Sequence, residues 1–465
     1  MRSSADIQRP IVDLDRCWGV PVAAACIVFL SCIASANYGF LYVLFMQRHG
    51  LSREQVAWPQ TLLLISGGCV GLLVSVVQKK FSIYHITLAG GILTSAGLMG
   101  ASFAPSIVWF SVAYGVVQGA GLGITFLGVA MYLLLYFDKY KATAAAIKDV
   151  GMVVVGVAGV PWISILMKEY GLRGSLLLMA GLMLHILPLV VLIKTPRRCH
   201  MFRKNDKPTG RINSQEGDVD KPAAIKSAVP LLNEKEHCVQ REELPTLSNG
   251  APRGFPIVIQ FPFFVLVLLQ VFSEYGNSLF MTTIVDYATD KGAELGRAKT
   301  AIMFAAIGKA VGRVLVPVVS DKTSFSRSSI TMACLYVTAL CFYIITRISA
   351  FEAVAALASV AGVTQGYTIC MRPLLVADHL GVERLSLCSG VAGLVGMPMC
   401  LSGPAILGYF RDKHGSYDTL YYMLAGLNLV VAVLLTVLVA CPVTKRRHCF
   451  TKHASSKTSF SEERV

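Results

Sequence analysis

Apolar and polar residues alternate in long blocks along this chain of 465 residues. A bilayer core about 30 Å thick requires roughly 20 consecutive apolar residues in each helix that crosses it. Blocks of that length occur six times before and six times after a polar segment. They predict transmembrane helices at residues 20–46, 58–77, 83–103, 107–136, 142–167, 172–193, 257–284, 298–319, 327–346, 350–376, 385–409 and 420–441. The pattern therefore predicts an all-α membrane protein with twelve transmembrane helices in two six-helix bundles.

The same pattern divides the chain into five predicted segments. They are an N-terminal tail at residues 1–19, a first bundle at 20–193, a linker at 194–256, a second bundle at 257–441 and a C-terminal tail at 442–465. The two tails and the linker hold three, six and twelve basic residues, which is half of the 42 in the chain. Basic segments mark the cytoplasmic side of a membrane protein. We therefore expect both termini and the linker in the cytoplasm, although the short loops carry a weaker and opposite bias.

Composition narrows the functional classes. With 54% hydrophobic and 15% charged residues, the chain is too apolar for a soluble globule. The net charge of +15 resides largely in the tails and linker, which argues against nucleic acid as a partner. No phosphate-binding loop, zinc-protease motif or metal-ligand spacing of the thirteen cysteines is found. The sequence predicts a protein that is not an enzyme and has no cofactor.

Two cations lie deep inside the eighth predicted helix. Lys309 and Arg313 are four residues apart, so both project from one helix face about one turn apart. A charge at membrane depth is costly, and it indicates a functional site in which the cation faces an aqueous cavity or a partner. Because no acidic residue stands beside them, we interpret the pair as a binding site for an anion.

Three short motifs lie at the ends of predicted helices. The first is Asp-Arg-Cys-Trp-Gly-Val at residues 15–20, the second is Tyr-Phe-Asp-Lys-Tyr-Lys at 136–141, and the third is Asp-Tyr-Ala-Thr-Asp-Lys-Gly at 286–292. These motifs resemble signatures of the monocarboxylate transporter family of the major facilitator superfamily, and Gly312 with Arg313 matches the arginine of that family's eighth helix. The resemblance covers nearly the whole chain except the linker and tails, and it implies the major facilitator fold.

The resemblance also implies what the chain transports and where. The family moves small carboxylates, aromatic amino acids, thyroid hormones, creatine or carnitine, in some members together with a proton. The chain is similar to carriers of the plasma membrane, some of which require a single-span ancillary glycoprotein as a partner. By this resemblance Arg313 is the residue that contacts the substrate carboxylate.

Two positions depart from the family pattern. Proton-coupled lactate carriers of the family place an aspartate where this chain has Lys309, and a first-helix lysine where it has Asn37 and Tyr38. These departures weigh against proton-coupled lactate transport and leave symport, facilitated diffusion and exchange open. We nominate Asn37 and Tyr38 as residues that shape the pocket.

The roles of the buried charges have alternatives. Arg313 either binds a carboxylate or forms a fixed ion pair with Glu274 of the seventh predicted helix. Lys309 either supplies a second charge or extends toward the membrane surface. Glu274 is interpreted first as the counter-ion of Lys309, with proton transfer or cation binding as alternatives.

A second group of charges is expected to control access to the site. Lys148 and Asp149 occupy the fifth predicted helix, and adjacent helical positions point about 100° apart, so we expect no direct pairing between them. Asp149 is expected to meet a basic group across an inner gate, and Lys148 to serve the gate or reach the headgroups. Asp321 and Lys322 resemble a charged loop of the superfamily that locks the inward face.

Arg372, near the inner end of the tenth predicted helix, is the last gating candidate. We expect Asp378 to anchor it. The sequence as a whole predicts a secondary or facilitative transporter of small organic anions, most simply monocarboxylates or aromatic carboxylates, that works by alternating access. The alternative is a receptor or scaffold that senses a ligand without transporting it, and ligand binding without accumulation in vesicles distinguishes the two.

Overall fold

The structure is a computed structural model that describes residues 15–38, 53–194, 261–292, 294–323, 325–413 and 416–440. The N-terminal half contains α1 Gly19–Cys32, α2 Arg53–Val77, α3 Ile83–Ser102, α4 Ile107–Phe110, α5 Gly119–Tyr136, α6 Lys141–Met183 and α7 Ile186–Lys194. The C-terminal half contains α8 Phe261–Asp290, α9 Leu295–Lys322, α10 Arg327–Arg347, α11 Phe351–Leu380, α12 Leu385–Gly408 and α13 Asp418–Ala440. The predicted linker and C-terminal tail lie almost entirely outside the described residues.

Within the described residues, eleven helices are long and apolar enough to cross a membrane, and α1 is a shorter apolar helix. The π-helical turn Ser111–Gln118 joins α4 to α5, so the three together form the fourth predicted span. The long helix α6 is interrupted at Gly171, whose φ of 64° is outside the helical region, and it supplies the fifth span and part of the sixth. The predicted all-α membrane fold is therefore confirmed, and within the described residues eleven of the twelve predicted spans are helices long enough to cross a membrane.

The two halves meet through their cores and through closely packed glycines. A buried apolar cluster includes Met131 and Ala142 of the first half together with Leu374 of the second. Helices α2 and α12 approach so closely that a Cβ added to Gly71 would be 2.8 Å from the Cα of Gly390. Helices α6 and α9 form the other principal contact between the halves.

Two of the short motifs meet in space although more than 120 residues separate them. The Asp15 carboxylate accepts hydrogen bonds from the backbone N–H groups of Asp138, Lys139 and Tyr140, each at 3.1 Å. The Trp18 ring packs edge-on against Phe137, with ring centroids 5.1 Å apart. An acidic group suits the N–H groups that precede a helix, because these have no partner inside the helix. Asp15 therefore fixes the start of α6, the helix that carries Lys148 and Asp149.

Candidate functional site

Glycines determine how α9 presents its cations. A Cβ on Gly308 would overlap the carbonyl oxygen of Ser359 on α11, and one on Gly312 would overlap that of Val363. The contact is reciprocal, since Gly362 and Gly366 of α11 lie against the α9 backbone in the same way. Glycines at this spacing allow two membrane helices to pack with their backbones in contact. Each cation directly follows one of these packed glycines in sequence. Lys309 and Arg313 therefore project about 100° away from the contact between α9 and α11.

Arg313 lies half-buried in α9. Its Nε is buried without a hydrogen-bond partner among the described residues, and the side chain forms no ion pair with any of them. Its charge nevertheless acts on Lys148, Asp149 and Glu274, so these groups lie near it. The proposed fixed pair between Arg313 and Glu274 is absent from the described contacts, which leaves this guanidinium available to a ligand.

Glu274 pairs with Arg372. The Arg372 Nη2 donates to Glu274 Oε2 at 2.7 Å, and Nη1 donates to the backbone oxygen of Gln270 at 3.2 Å. Two expectations were therefore wrong, because Glu274 is not the ion-pair partner of Lys309 and Asp378 does not anchor Arg372. The reason is helix rotation, since α8 and α11 pack together and turn these two side chains toward each other. The Glu274 side chain is 55% exposed in the middle of a spanning helix and lies close to Arg372, Lys309 and Arg313, which indicates an aqueous cavity.

Lys309 is held by a neutral group. Its Nζ donates to Asn277 Oδ1 at 2.6 Å. Asn277 stands three residues after Glu274, so α8 directs a carboxylate toward α11 and an amide toward α9 from neighbouring positions. An amide dipole orients the ammonium group without neutralising its charge.

Lys148 and Asp149 form an ion pair, contrary to the expectation from their adjacent positions. The Lys148 Nζ lies 2.8 Å from Asp149 Oδ1, and their side chains are 11% and 8% exposed. The angular argument holds for the Cβ atoms, but the four-carbon stem of lysine reaches around the helix. Lys148 therefore stays in the interior and does not reach the headgroups. Asp149 also interacts with the Cys370 thiol of α11, so this pair contacts the second half.

These charged residues form one group, which we call the central cluster. Its members are Lys148 and Asp149 of α6, Glu274 of α8, Lys309 and Arg313 of α9, and Arg372 of α11. The cluster combines residues from both halves. The sequence analysis identified every charged member of the cluster, but it did not identify Asn277 as the hydrogen-bond partner of Lys309.

Asn37 and Tyr38, the other nominated residues, are buried in the first half. The Asn37 Nδ2 donates to the carbonyl oxygens of Ile33 at 3.0 Å and Val155 at 3.4 Å. The Tyr38 hydroxyl donates to the carbonyl oxygen of Val56 at 2.7 Å. The structure therefore places both in contacts within and between helices of the first half.

Polar contacts close one face of the molecule. The Asp321 carboxylate, with its side chain 1% exposed, accepts from the Thr143 backbone N–H at 2.7 Å and from its hydroxyl at 2.9 Å. Arg327 donates to Asp321 at 3.2 Å and to the Lys139 carbonyl oxygen at 3.3 Å. The neighbouring Lys322 is exposed and has no described partner. Of the predicted pair, only Asp321 lies where the two halves meet.

Asp378 and Lys141 extend the same closed face. Asp378 accepts from Arg327 at 3.3 Å, and Lys141 Nζ lies 3.9 Å from its other oxygen. Lys141 also donates to Asp138 at 2.9 Å, and this hydrogen bond lowers the pKa of the Asp138 carboxyl. Nothing in the sequence singled out Thr143 and Arg327, although a basic residue that begins a predicted span is a usable signal. We call Thr143, Asp321, Arg327 and Asp378 the gate network.

Comparison with known proteins places the geometry in context. A family model described as Major Facilitator Superfamily matches residues 24–253 and 266–460. The chain is 22% identical to monocarboxylate transporter 12 of Rattus norvegicus, over 90% of this chain and 84% of that protein. It is 22% identical to monocarboxylate transporter 7 of Homo sapiens, over 99% of this chain and 92% of that protein. A crystal structure of the transporter FucP in the outward conformation matches with a TM-score of 0.61 and 14% identity, covering 90% of this chain and 99% of that one.

Proposed function

Because this chain belongs to the Major Facilitator Superfamily, we propose that it carries a small organic anion across the membrane, with Arg313 as the ligand of a carboxylate group. It is a multi-pass membrane transporter and not an enzyme, as its fold and its relatives indicate. The monocarboxylate transporters among those relatives support an organic anion as substrate. The proposal assigns that substrate to the central cluster.

The charge balance of the central cluster is the observation that carries this proposal. Its four cations face only two carboxylates, so two positive charges remain without an acidic partner in the cluster. An unpaired cation inside a low-dielectric region is expensive, and a bound anion compensates for it. The planar guanidinium of Arg313 is suited to this role because it forms two parallel hydrogen bonds with a carboxylate.

The closed gate network supports alternating access as the mechanism. Its contacts join α6 to α9, and the loop before α6 to α10, on the face that also holds Asp15. If this face is cytoplasmic, as the basic tails predict, the chain is in a state comparable with the outward conformation reported for FucP. Transport then requires these polar contacts to break while contacts at the opposite face form.

Uptake into vesicles tests the proposed function directly. We expect purified chain in proteoliposomes to accumulate labelled carboxylates from a panel of aliphatic and aromatic acids, with saturation and competition among substrates. Empty liposomes and matched uncharged amides of the same acids provide the controls. Binding of a carboxylate without its accumulation would instead favour a receptor, and would contradict the proposal.

We further propose that transport is facilitated diffusion or exchange. The carboxylate of Glu274 already forms an ion pair with Arg372, and that of Asp149 forms one with Lys148. Neither carboxylate of the central cluster is therefore free to carry a proton with the substrate. An imposed pH gradient is expected to leave initial uptake rates unchanged when the ionisation of the substrate is held constant, and a several-fold stimulation by external acid would show proton symport.

Replacing Asp321 with asparagine is expected to favour opening of the closed face. Hydrogen bonds to a charged group contribute about 1.5–3 kcal/mol each, so losing about 3 kcal/mol would increase the open population roughly a hundredfold. Spectroscopic labels at the exposed positions Lys80 and Glu383, with other reactive cysteines removed, would report a longer distance. Lys322→Gln is the matched control and should not alter the distance, whereas equal effects of both variants would contradict the role of Asp321.

A further inference from the structure

We propose that the preferred substrate carries two negative charges, as a dicarboxylate does, with one carboxylate on Arg313 and the other on Lys309. This inference rests on the proposed function and makes its substrate class specific. It departs from the monocarboxylate expected from the sequence, because the structure shows how each acidic group of the central cluster is already used.

The pairing within the central cluster leaves two cations. Asp149 balances Lys148 at 2.8 Å, and Glu274 balances Arg372 at 2.7 Å. Arg313 has a buried Nε without a partner. Lys309 has the amide oxygen of Asn277, which accepts a hydrogen bond but carries no charge. A monoanion would neutralise one of these cations and leave the other, whereas a dianion neutralises both.

The geometry of α9 places the two cations at a distance that suits a dicarboxylate. Four residues along a helix correspond to a rise of about 6 Å. The backbone in between is fixed, because Gly308 and Gly312 pack directly against the α11 backbone. The two side chains therefore start about one turn apart on the same face of α9, and the charge of Arg313 acts on Lys309. A short dicarboxylate spans such a separation, and the flexible lysine stem absorbs the remaining difference.

Electrostatic repulsion adds to the preference. Two like charges one helical turn apart destabilise each other, and the effect grows where water is scarce. The charges of Arg313 and Arg372 both act on Lys309, while Glu274 is the carboxylate that acts on it. A second carboxylate on the substrate neutralises the excess positive charge around Lys309, which an uncharged substrate group at the same place cannot do.

Matched pairs of acids test the inference in the full-length protein. Succinate and butyrate share a four-carbon skeleton, and phthalate and benzoate share an aromatic ring, so each pair differs by one carboxylate. In proteoliposomes at a pH where all carboxylates are ionised, we expect the dicarboxylate of at least one pair to compete roughly tenfold or more better than its monocarboxylate.

Variants at Lys309 assign the preference to this side chain. Lys309→Met keeps the length of the stem and removes the charge, and it should reduce the ratio of dicarboxylate to monocarboxylate uptake by roughly tenfold or more. Lys309→Arg should retain the ratio. Lys80→Met, which removes an exposed charge that is not part of the central cluster, is the control.

The possible outcomes separate this inference from the proposed function. If wild-type protein transports monocarboxylates and rejects every dicarboxylate, the inference of a doubly charged substrate is wrong, whereas the proposed transport of organic anions is supported. Transport of neither class overturns both. An unchanged ratio in a membrane-inserted Lys309→Met protein overturns the role of Lys309, and the wild-type comparison remains decisive if that variant does not fold.

Discussion

Replacing Arg313 with glutamine is expected to reduce carboxylate uptake roughly a hundredfold or more while the amount of protein in the membrane stays unchanged. A bidentate guanidinium pair supplies two charge-assisted hydrogen bonds, each contributing about 1.5–3 kcal/mol, and glutamine replaces them with neutral contacts. The measurement is the initial rate of uptake into proteoliposomes of matched protein content, over a range of substrate concentrations.

The thermal stability of the same variant distinguishes a ligand role from a structural one. Arg313 has no described ion-pair partner, so its removal relieves a buried charge and should not lower the unfolding temperature. Arg372→Gln is the matched control, because it leaves Glu274 without its partner at 2.7 Å. Breaking a buried pair costs about 3–5 kcal/mol, and the exposure of Glu274 to the cavity reduces that figure. Normal uptake by Arg313→Gln, or unfolding like that of Arg372→Gln, would contradict the assignment.

Replacing Gly312 with valine is expected to destabilise the protein by at least about 3 kcal/mol, the upper end for an overpacked core position. The first added carbon would overlap the backbone carbonyl oxygen of Val363, which cannot change rotamer to make room. Helices α9 and α11 would have to separate, and the central cluster would be displaced with them. The measurement is the unfolding temperature in detergent, together with the fraction of monodisperse protein.

Gly426→Val provides the control for Gly312→Val. Gly426 lies in α13 of the same half, and an added Cβ there meets no atom within 4 Å. The two variants introduce the same side chain into transmembrane helices, so a difference in stability reports the α9–α11 contact. Equal stability of the two proteins would show that this seam can open without cost.

Hydrophobicity was sufficient to predict the fold because each spanning helix must satisfy its own backbone and present an apolar surface to lipid. The family likeness, inferred from short motifs, is confirmed by the relatives that match nearly the whole chain. These features depend on local composition, which a single sequence displays.

The pairing of charges could not be predicted in the same way. Glu274 meets Arg372 and not Lys309 because of the relative rotation of α8, α9 and α11, which no local pattern encodes. The Lys148–Asp149 pair was excluded on Cβ directions, although the length of the lysine side chain makes it feasible. Such pairs depend on packing across helices, and they determine which cations remain for a substrate.

The contact between Asp15 and the loop before α6 has a practical consequence for protein engineering. Asp15 accepts hydrogen bonds from three backbone N–H groups up to 125 positions away. The segment before α1 therefore holds the start of α6, a helix of the central cluster, in place. Expression tags and truncations therefore need to preserve residues from Asp15 onward. A shortened chain that begins at Gly19 would retain every spanning helix, but it would lose the hydrogen bonds to Asp15 that fix where α6 begins.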